Sequence, residues 1–225
     1  MTEPLSPTPR TTLGRLAEKG RTDRSELHAL LDTALVAHVG VDAGGYPLVL
    51  PTAFAVDVEG PDRDGTLYLH GSTGARWLIA ARGAKVCVTI TEVDGLVAAR
   101  SGFESSMNYR TAVILGEARV VEDEDERSHA LDLMVDHMVP GRAATIRRPT
   151  RKELAATQVL AVPLFEASLK VRVGGPDDED DDIADNPWGG HIPLYRVAGA
   201  PVADEGSRGP APDDVRRRAE DLGAR

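Results

Sequence analysis

The chain has 225 residues, of which 41% are hydrophobic and 28% charged, and its formal net charge is −10. A chain of this length can bury a sizeable core as a single domain. The acidic balance argues against a general nucleic-acid binder, because affinity for a phosphate backbone depends on many Lys and Arg side chains. A small anionic ligand needs only a local basic pocket and stays compatible with this composition.

Cys87 is the only cysteine, which excludes an intrachain disulfide and a cysteine-based zinc site. The first ten residues lack the apolar segment of a signal peptide, and no run reaches the roughly 18 apolar residues of a membrane helix. We therefore expect a soluble, cytoplasmic protein that makes no membrane contact.

An N-terminal arm is predicted over residues 1–22, which are rich in Pro, Thr and basic side chains. A helix is predicted to start at Asp23, because Glu26 follows at the capping-box position and leucines recur at helical spacing. Strands are predicted at residues 35–41 and 46–58, joined by a short Gly-rich turn that makes them antiparallel.

Pro47 and Pro51 confine parts of the second strand to a sheet edge or a bulge. The remaining predicted strands cover residues 66–70, 85–91, 96–101, 109–121 and 158–173, with a hairpin turn at 92–95 and a break near Pro163. The remaining predicted helices cover residues 72–82, 123–138 and a short stretch opened by the capping box Thr150–Glu153.

This set of six or seven antiparallel strands with helices between them is typical of a small β-barrel with flanking helices, here over residues 23–198. Residues 177–182 are all acidic and cannot form a core. Residues 199–225 are rich in Pro, Gly and charge, so we predict a disordered tail.

The segment from Leu67 to Arg76 is the most informative for chemistry. A strand runs into Gly71, and a helix is predicted to begin at Ser72 or Thr73, so that its first amides could bind an anion. Arg76 could add a charge-assisted bond. A plain helix cap followed by a surface arginine explains the same residues, and both interpretations stay open.

Three further segments concentrate polar side chains. Hydroxyl, amide and guanidinium groups between residues 99 and 110 suit the polar edge of a flavin ring, although a ligand-free polar loop fits equally well. Ser168, Lys170 and Arg172 alternate onto one strand face, which either lines a cleft or meets solvent. Trp188 lies in a Gly/Pro loop (residues 186–193) and is interpreted as a lid, a partner contact or simple packing.

Taken together, these segments resemble the pyridoxamine 5′-phosphate oxidase-related flavin-nucleotide-binding family, close to its nitroimidazole-resistance type. The resemblance covers roughly residues 10–197 and is carried by residues 67–76, 94–101, 106–110, 168–172 and 188–193, which occur in family order. It implies a mainly β fold with flanking helices, a split β-barrel that forms a homodimer with FMN sites at the subunit interface.

The resemblance also implies roles for individual residues. Ser72 and Arg76 would hold the FMN phosphate, and Pro51 and Thr52 would border the ring. His70 matches a histidine that nitroimidazole-resistance relatives keep near their cofactor, and it is the one candidate for a catalytic role. The other cofactor contacts would come from Asn108, Tyr109 and Arg110, and from Lys170, Arg172 and Trp188 of the partner subunit.

Two departures from the family pattern restrict the prediction. The Arg-Leu-x-Pro stretch of true pyridoxamine phosphate oxidases is absent, which makes pyridoxine 5′-phosphate doubtful as the substrate. Ala75 replaces a frequent second serine before Arg76. Because relatives of this fold also bind haem or the deazaflavin F420, these stay as alternatives to FMN.

The sequence thus predicts an FMN-dependent oxidoreductase acting on an unknown small molecule, with a non-enzymatic flavin or haem carrier or sensor as the alternative. A serine hydrolase built on Ser72 is disfavoured, because the motif is not Gly-x-Ser-x-Gly and the sheet is predicted to be antiparallel. No metal-ion site is expected from the scattered histidines.

Overall fold

The computed structural model describes residues 4–6, 8–185 and 188–223. The strands are β1 (Gly20–Arg21), β2 (Ala37–Asp42), β3 (Pro47–Thr52), β4 (Phe54–Asp57), β5 (Thr66–Ser72), β6 (Lys85–Ala98), β7 (Ser106–Glu117), β8 (Arg119–Val120), β9 (Thr157–Pro163), β10 (Glu166–Arg172) and β11 (Gly190–Pro193). The helices are α1 (Arg24–Thr33), α2 (Arg76–Ala81), α3 (Glu124–Met138), α4 (Arg151–Ala156), α5 (Asp180–Asp185) and α6 (Asp213–Gly223), with a 3-10 turn at Ala17–Lys19. Within these ranges, no helix combines the length and the apolar character needed to cross a bilayer.

Hydrogen bonding divides the strands into two antiparallel sheets. The larger has the order β1-β10-β7-β6-β2-β3, with β11 paired to β6 beyond the end of β2. The smaller has the order β4-β5-β9-β8. The predicted mainly β fold with flanking helices is confirmed. The strand pairing among the described residues does not join the sheets into a closed barrel, so the split barrel stays a prediction.

The predicted strand over residues 46–58 is two strands that belong to different sheets. β3 pairs with β2 in the larger sheet, and β4 pairs with β5 in the smaller one. Pro47 and Pro51 lie in β3, which is an edge strand, as the prolines indicated. The chain therefore crosses from one sheet to the other at Ala53.

The predicted hairpin turn at residues 92–95 is wrong, because β6 runs without a break from Lys85 to Ala98 and pairs with β7 along its length. The register shifts between Val93 and Gly95, where Asp94 forms a bulge. The Asp94 carboxylate accepts two 2.9 Å hydrogen bonds from Arg110 on β7. A bulge and a turn share the same Asp-Gly signal, and this cross-strand ion pair favours the bulge.

The C-terminal segment departs from the predicted disorder, because residues 213–223 form α6. Asp214 is only 5% exposed, and the half-buried residues Val215, Arg218 and Leu222 follow it at helical spacing. The prediction of disorder rested on the high charge of this segment and did not take its amphipathic pattern into account. At the other end of the chain, the Leu5 side chain is buried, and the Ser6 amide donates to the Ala167 carbonyl.

The smaller sheet is covered on both faces. Leu67, Leu69, Leu160 and Val162 of β5 and β9 belong to the main hydrophobic core. Tyr68, Val159 and Ala161, at the alternating positions, belong to a second cluster with Ala130 and Met134 of α3. This period-two pattern places α3 against the face of the sheet that points away from the main core.

We predict that Leu160→Ala lowers the free energy of unfolding by about 2–5 kcal/mol, because it leaves a cavity at a fully buried position. Urea unfolding monitored by circular dichroism measures the change. Val202→Ala removes a side chain that is 95% exposed and serves as the control, with an expected change within about 0.5 kcal/mol. A Leu160→Ala protein as stable as this control would contradict the assigned core.

Candidate functional site

A cavity of about 740 Å³ lies between the smaller sheet, α3 and the chain that leads from α3 into α4. Its volume is within the range of about 300–1,000 Å³ usual for small-molecule and cofactor sites. The lining is mainly apolar and comprises Ala53, Leu131, Met134, Val135, Met138, Val139, Ala143, Ile146, Pro149 and Leu154. Such a surface suits a large, mostly apolar ligand.

His70 lines this cavity from β5. Because side chains alternate along a strand, His70 shares the α3 side of the sheet with Tyr68. Its Nδ1 atom is buried and has no hydrogen-bond partner among the described residues. Burial lowers the pKa of His70 below its ordinary value, so the imidazole is neutral at pH 7 and can offer a lone pair to a metal.

Three arginines line the same cavity: Arg142, Arg147 and Arg148. Each is held by a carboxylate, and the shortest distances from guanidinium nitrogen to carboxylate oxygen are 3.3 Å to Asp214, 2.7 Å to Glu153 and 2.5 Å to Asp132, respectively. These ion pairs hold three guanidinium groups on the part of the lining that the connection from α3 to α4 contributes. The cavity therefore combines an apolar body, one neutral imidazole and an arginine wall, formed by Arg142, Arg147 and Arg148 with their paired carboxylates.

The predicted phosphate corner lies at the C-terminal end of β5, two residues after His70. α2 begins at Arg76 rather than at Ser72 or Thr73, and its N-cap residue, Ala75, makes no side-chain capping bond. The Ser72 hydroxyl accepts a 3.3 Å bond from the Gly74 amide. Arg76 is exposed and forms no hydrogen bond or ion pair with any described residue, so its guanidinium is available to a ligand.

Asn108 and Arg172 lie together, but both are committed within the chain. Arg172 donates 2.8 Å to the Asn108 side-chain oxygen and 3.0 Å to the Gly175 carbonyl. The Asn108 amide donates 3.0 Å to the Gly174 carbonyl. Both side chains are 5% exposed, so they fasten the segment after β10, and their contact with a cofactor stays a prediction.

The other predicted site residues are spread over the surface. Arg110 is paired with Asp94, and Lys170 donates to the Arg15 carbonyl at 3.0 Å. Tyr109 is half-buried beside Arg110 on β7, and Trp188 is 61% exposed at the start of the segment leading to β11. Asn186 and Pro187, in the predicted lid loop, lie outside the described residues.

Pro51 and Thr52 lie at the end of β3, next to the cavity wall. Pro51 is exposed on the sheet edge. The Thr52 hydroxyl donates to the carbonyl of Ala53, which lines the cavity. Of the predicted site residues, only His70 therefore lines the cavity itself.

Sequence reasoning missed the arginine wall, although a signal was present. Residues 141–152 contain four arginines and one lysine and no acidic residue, in a chain of net charge −10. The helix α3 was predicted, but its contribution of Met134 and Met138 to the cavity lining was not.

The comparisons with known proteins define the class of this protein. The family model described as pyridoxamine 5′-phosphate oxidase matches residues 23–171, which is more than half of the chain. The chain belongs to this family, a family of flavin-nucleotide-binding proteins. No curated protein matches it significantly.

Solved structures extend the likeness to nearly the whole chain. The flavocytochrome Anf3 from Azotobacter vinelandii is 34% identical, with a TM-score of 0.87, and the match covers 95% of this chain and 98% of that one. The FAD and haem binding protein from Mycobacterium smegmatis is 41% identical, with a TM-score of 0.82 and coverages of 89% and 97%. A candidate 5-nitroimidazole antibiotic resistance protein from Bacteroides thetaiotaomicron is 25% identical, with a TM-score of 0.55 and coverages of 68% and 86%.

We predict that the free energy of unfolding decreases as the pH falls below about 6.5, the ordinary histidine pKa. Burial lowers the pKa of His28, His70 and His137. At mildly acidic pH the unfolded chain therefore binds more protons than the folded chain. Urea unfolding at pH values between about 5 and 7 measures the slope. His70→Leu should flatten it, whereas the exposed His129, replaced by Gln, serves as the control. A wild-type slope in His70→Leu would show that the imidazole titrates normally.

Proposed function

We propose that this protein is an oxidoreductase-like protein that binds a haem in the cavity beneath α3 and a flavin nucleotide at the corner between β5 and α2. The observation that carries the proposal is His70, a neutral imidazole at the wall of a large apolar cavity. Two relatives of at least 34% identity are described as a flavocytochrome and as an FAD and haem binding protein, and this supports the pair of cofactors.

The donor set of the cavity fits a haem. Haem is a broad, largely apolar ring with carboxylates at its edge, and a histidine is one of the side chains that hold its iron in proteins. Here ten apolar residues form the walls, His70 supplies the imidazole, and the arginines 142, 147 and 148 supply the cations. Bidentate guanidinium–carboxylate bonds are among the stronger polar contacts in proteins. Each arginine binds one carboxylate of the chain, and the remaining N–H groups of its guanidinium could donate to a haem carboxylate.

The flavin would be held by its phosphate at Arg76 and Ser72. The exposed guanidinium of Arg76 lies at the first residue of α2, where a cation opposes the helix dipole and an anionic ligand removes the conflict. FMN is the ligand first expected there, and the relatives described above make FAD an equal candidate. F420 is a third candidate, which mass analysis of the released cofactor distinguishes.

A homodimer would complete the flavin site with residues of a second copy. An exposed apolar group on the larger sheet supports this part of the proposal. Leu96 lies opposite Ile192 on one side and opposite Met107 on the other, and all three are about half exposed. Contiguous apolar surface of this kind is usually covered by a partner.

When bound, haem and flavin would supply one-electron and hydride chemistry. The chain itself positions them: the apolar wall excludes water, and burial holds the His70 imidazole neutral. The arginines would fix the orientation of the ring by its carboxylate edge. The acidic side chains that line the cavity, Asp132 and Glu153, are engaged in ion pairs, which also suits a carrier or sensor without a substrate. Oxidation of NADH or NADPH by the cofactor-loaded protein separates the oxidoreductase from the carrier.

We predict that the protein binds one haem per chain and that His70→Ala abolishes this binding, because His70 would be the residue that holds the iron. The pyridine haemochrome spectrum measures haem, and the fluorescence of flavin released by heat measures flavin independently. His129→Ala, a change at an exposed histidine bonded to Asp57, should bind haem as the wild type does. Full haem content in His70→Ala would place the iron ligand elsewhere.

We predict that Arg76→Ala weakens flavin binding roughly 10- to 100-fold, the effect of losing one charge-assisted hydrogen bond. Fluorescence titration with FMN and with FAD measures the dissociation constants. Arg217→Ala removes an exposed arginine of α6 and serves as the matched control. Equal affinity in both variants would show that the phosphate binds at another place.

A further inference from the structure

We propose that Asp214 of α6 is a positioning residue that holds Arg142 in the orientation needed to bind a haem carboxylate, and thereby slows haem release. This inference rests on the proposed function. It concerns a helix that lies outside the segment matched by the family model, residues 23–171.

Asp214 is a buried carboxylate with defined partners. Only 5% of the residue is exposed, and its Oδ2 atom accepts 3.3 Å from Nη1 of Arg142 and 3.0 Å from the Thr145 hydroxyl. Its Oδ1 atom accepts from the Val215 amide at 2.9 Å. Asp214 thus binds Arg142, which lines the cavity, and Thr145, which lies next to the lining residue Ile146.

The same helix also binds the C-terminal end of α3, where the connection to α4 begins. Arg218, four residues after Asp214 and therefore on the same face of α6, donates 2.9 Å to the Met138 carbonyl and 3.2 Å to the His137 carbonyl. Met138, Arg142 and their neighbours line the cavity. α6 therefore holds the turn after α3 at two points, one at each end.

Fixing Arg142 in advance has a direct consequence for binding. An arginine side chain has many rotamers, and ordering it during ligand binding costs free energy. Among the described residues, the carboxylate that pairs with Arg142 is that of Asp214. In its absence the guanidinium would be free to turn towards solvent, and a haem carboxylate would lose a pre-oriented partner.

The test compares haem dissociation from wild-type protein and from Asp214→Asn, measured as transfer to excess apomyoglobin. We expect dissociation to be roughly 10- to 100-fold faster in the variant, as for the loss of one charge-assisted bond. Asp213→Asn is the matched control, since the Asp213 carboxylate is exposed and bonded to Arg216 of the same helix. It should release haem at the wild-type rate.

A double-mutant comparison distinguishes positioning of Arg142 by Asp214 from general support of the fold. If Asp214 acts through Arg142, then Asp214→Asn adds no further acceleration in an Arg142→Ala background. Additive effects of the two changes, or a wild-type rate in Asp214→Asn, would overturn the inference. Should Asp214→Asn fail to fold, Thr145→Val removes a neighbouring contact of the same carboxylate and is expected to accelerate release in the same direction, and an unchanged rate would overturn the inference.

Failure of the proposed function gives a different result. A wild-type protein that takes up no haem overturns both proposals at once. A wild-type protein that binds haem, together with an Asp214→Asn protein that releases it equally slowly, overturns only the role of Asp214.

Discussion

The smaller sheet depends on one constraint, which is that both of its faces are apolar and both are covered. Alternation along β5 and β9 sends Leu69 and Leu160 into the main core and sends Tyr68 and Ala161 towards α3. His70 takes its orientation from the same alternation. A slip of one residue would exchange the two faces and turn the imidazole into the main core, so the register that buries the leucines also fixes the candidate iron ligand.

Ion pairs and hydrogen bonds near the first turn of α3 attach this helix to the smaller sheet. The buried Tyr68 hydroxyl donates 3.1 Å to Glu126, and Arg119 pairs with both Glu126 and Asp62. Asp123 caps the helix by accepting from the Glu126 amide. These bonds hold the beginning of α3 to the smaller sheet. Further along the helix, Met134 packs in the second cluster and lines the cavity together with Met138.

Local signals were sufficient for much of the fold and for part of the site. Capping and spacing identified α1, α3 and α4, and the strand that contains His70 was recognised together with its family resemblance. The bulge at Asp94 was not recognised from the sequence. The ion pair with Arg110 that favours the bulge joins residues on different strands. The arginine wall depends on contacts between distant positions, such as Arg142 with Asp214, and no periodic pattern records such a contact.

The prolines of β3 limit how this protein can associate with other chains. β3 is the last strand of the larger sheet, and Pro47 and Pro51 lie opposite Asp42 and His38 of β2. A proline has no amide hydrogen, so the regular strand needs these positions to point away from β2, and two outward donors are missing from the edge. Growth of the sheet by adding a foreign strand is thereby disfavoured, which protects this edge against amyloid-like stacking and leaves association to the faces of the sheet.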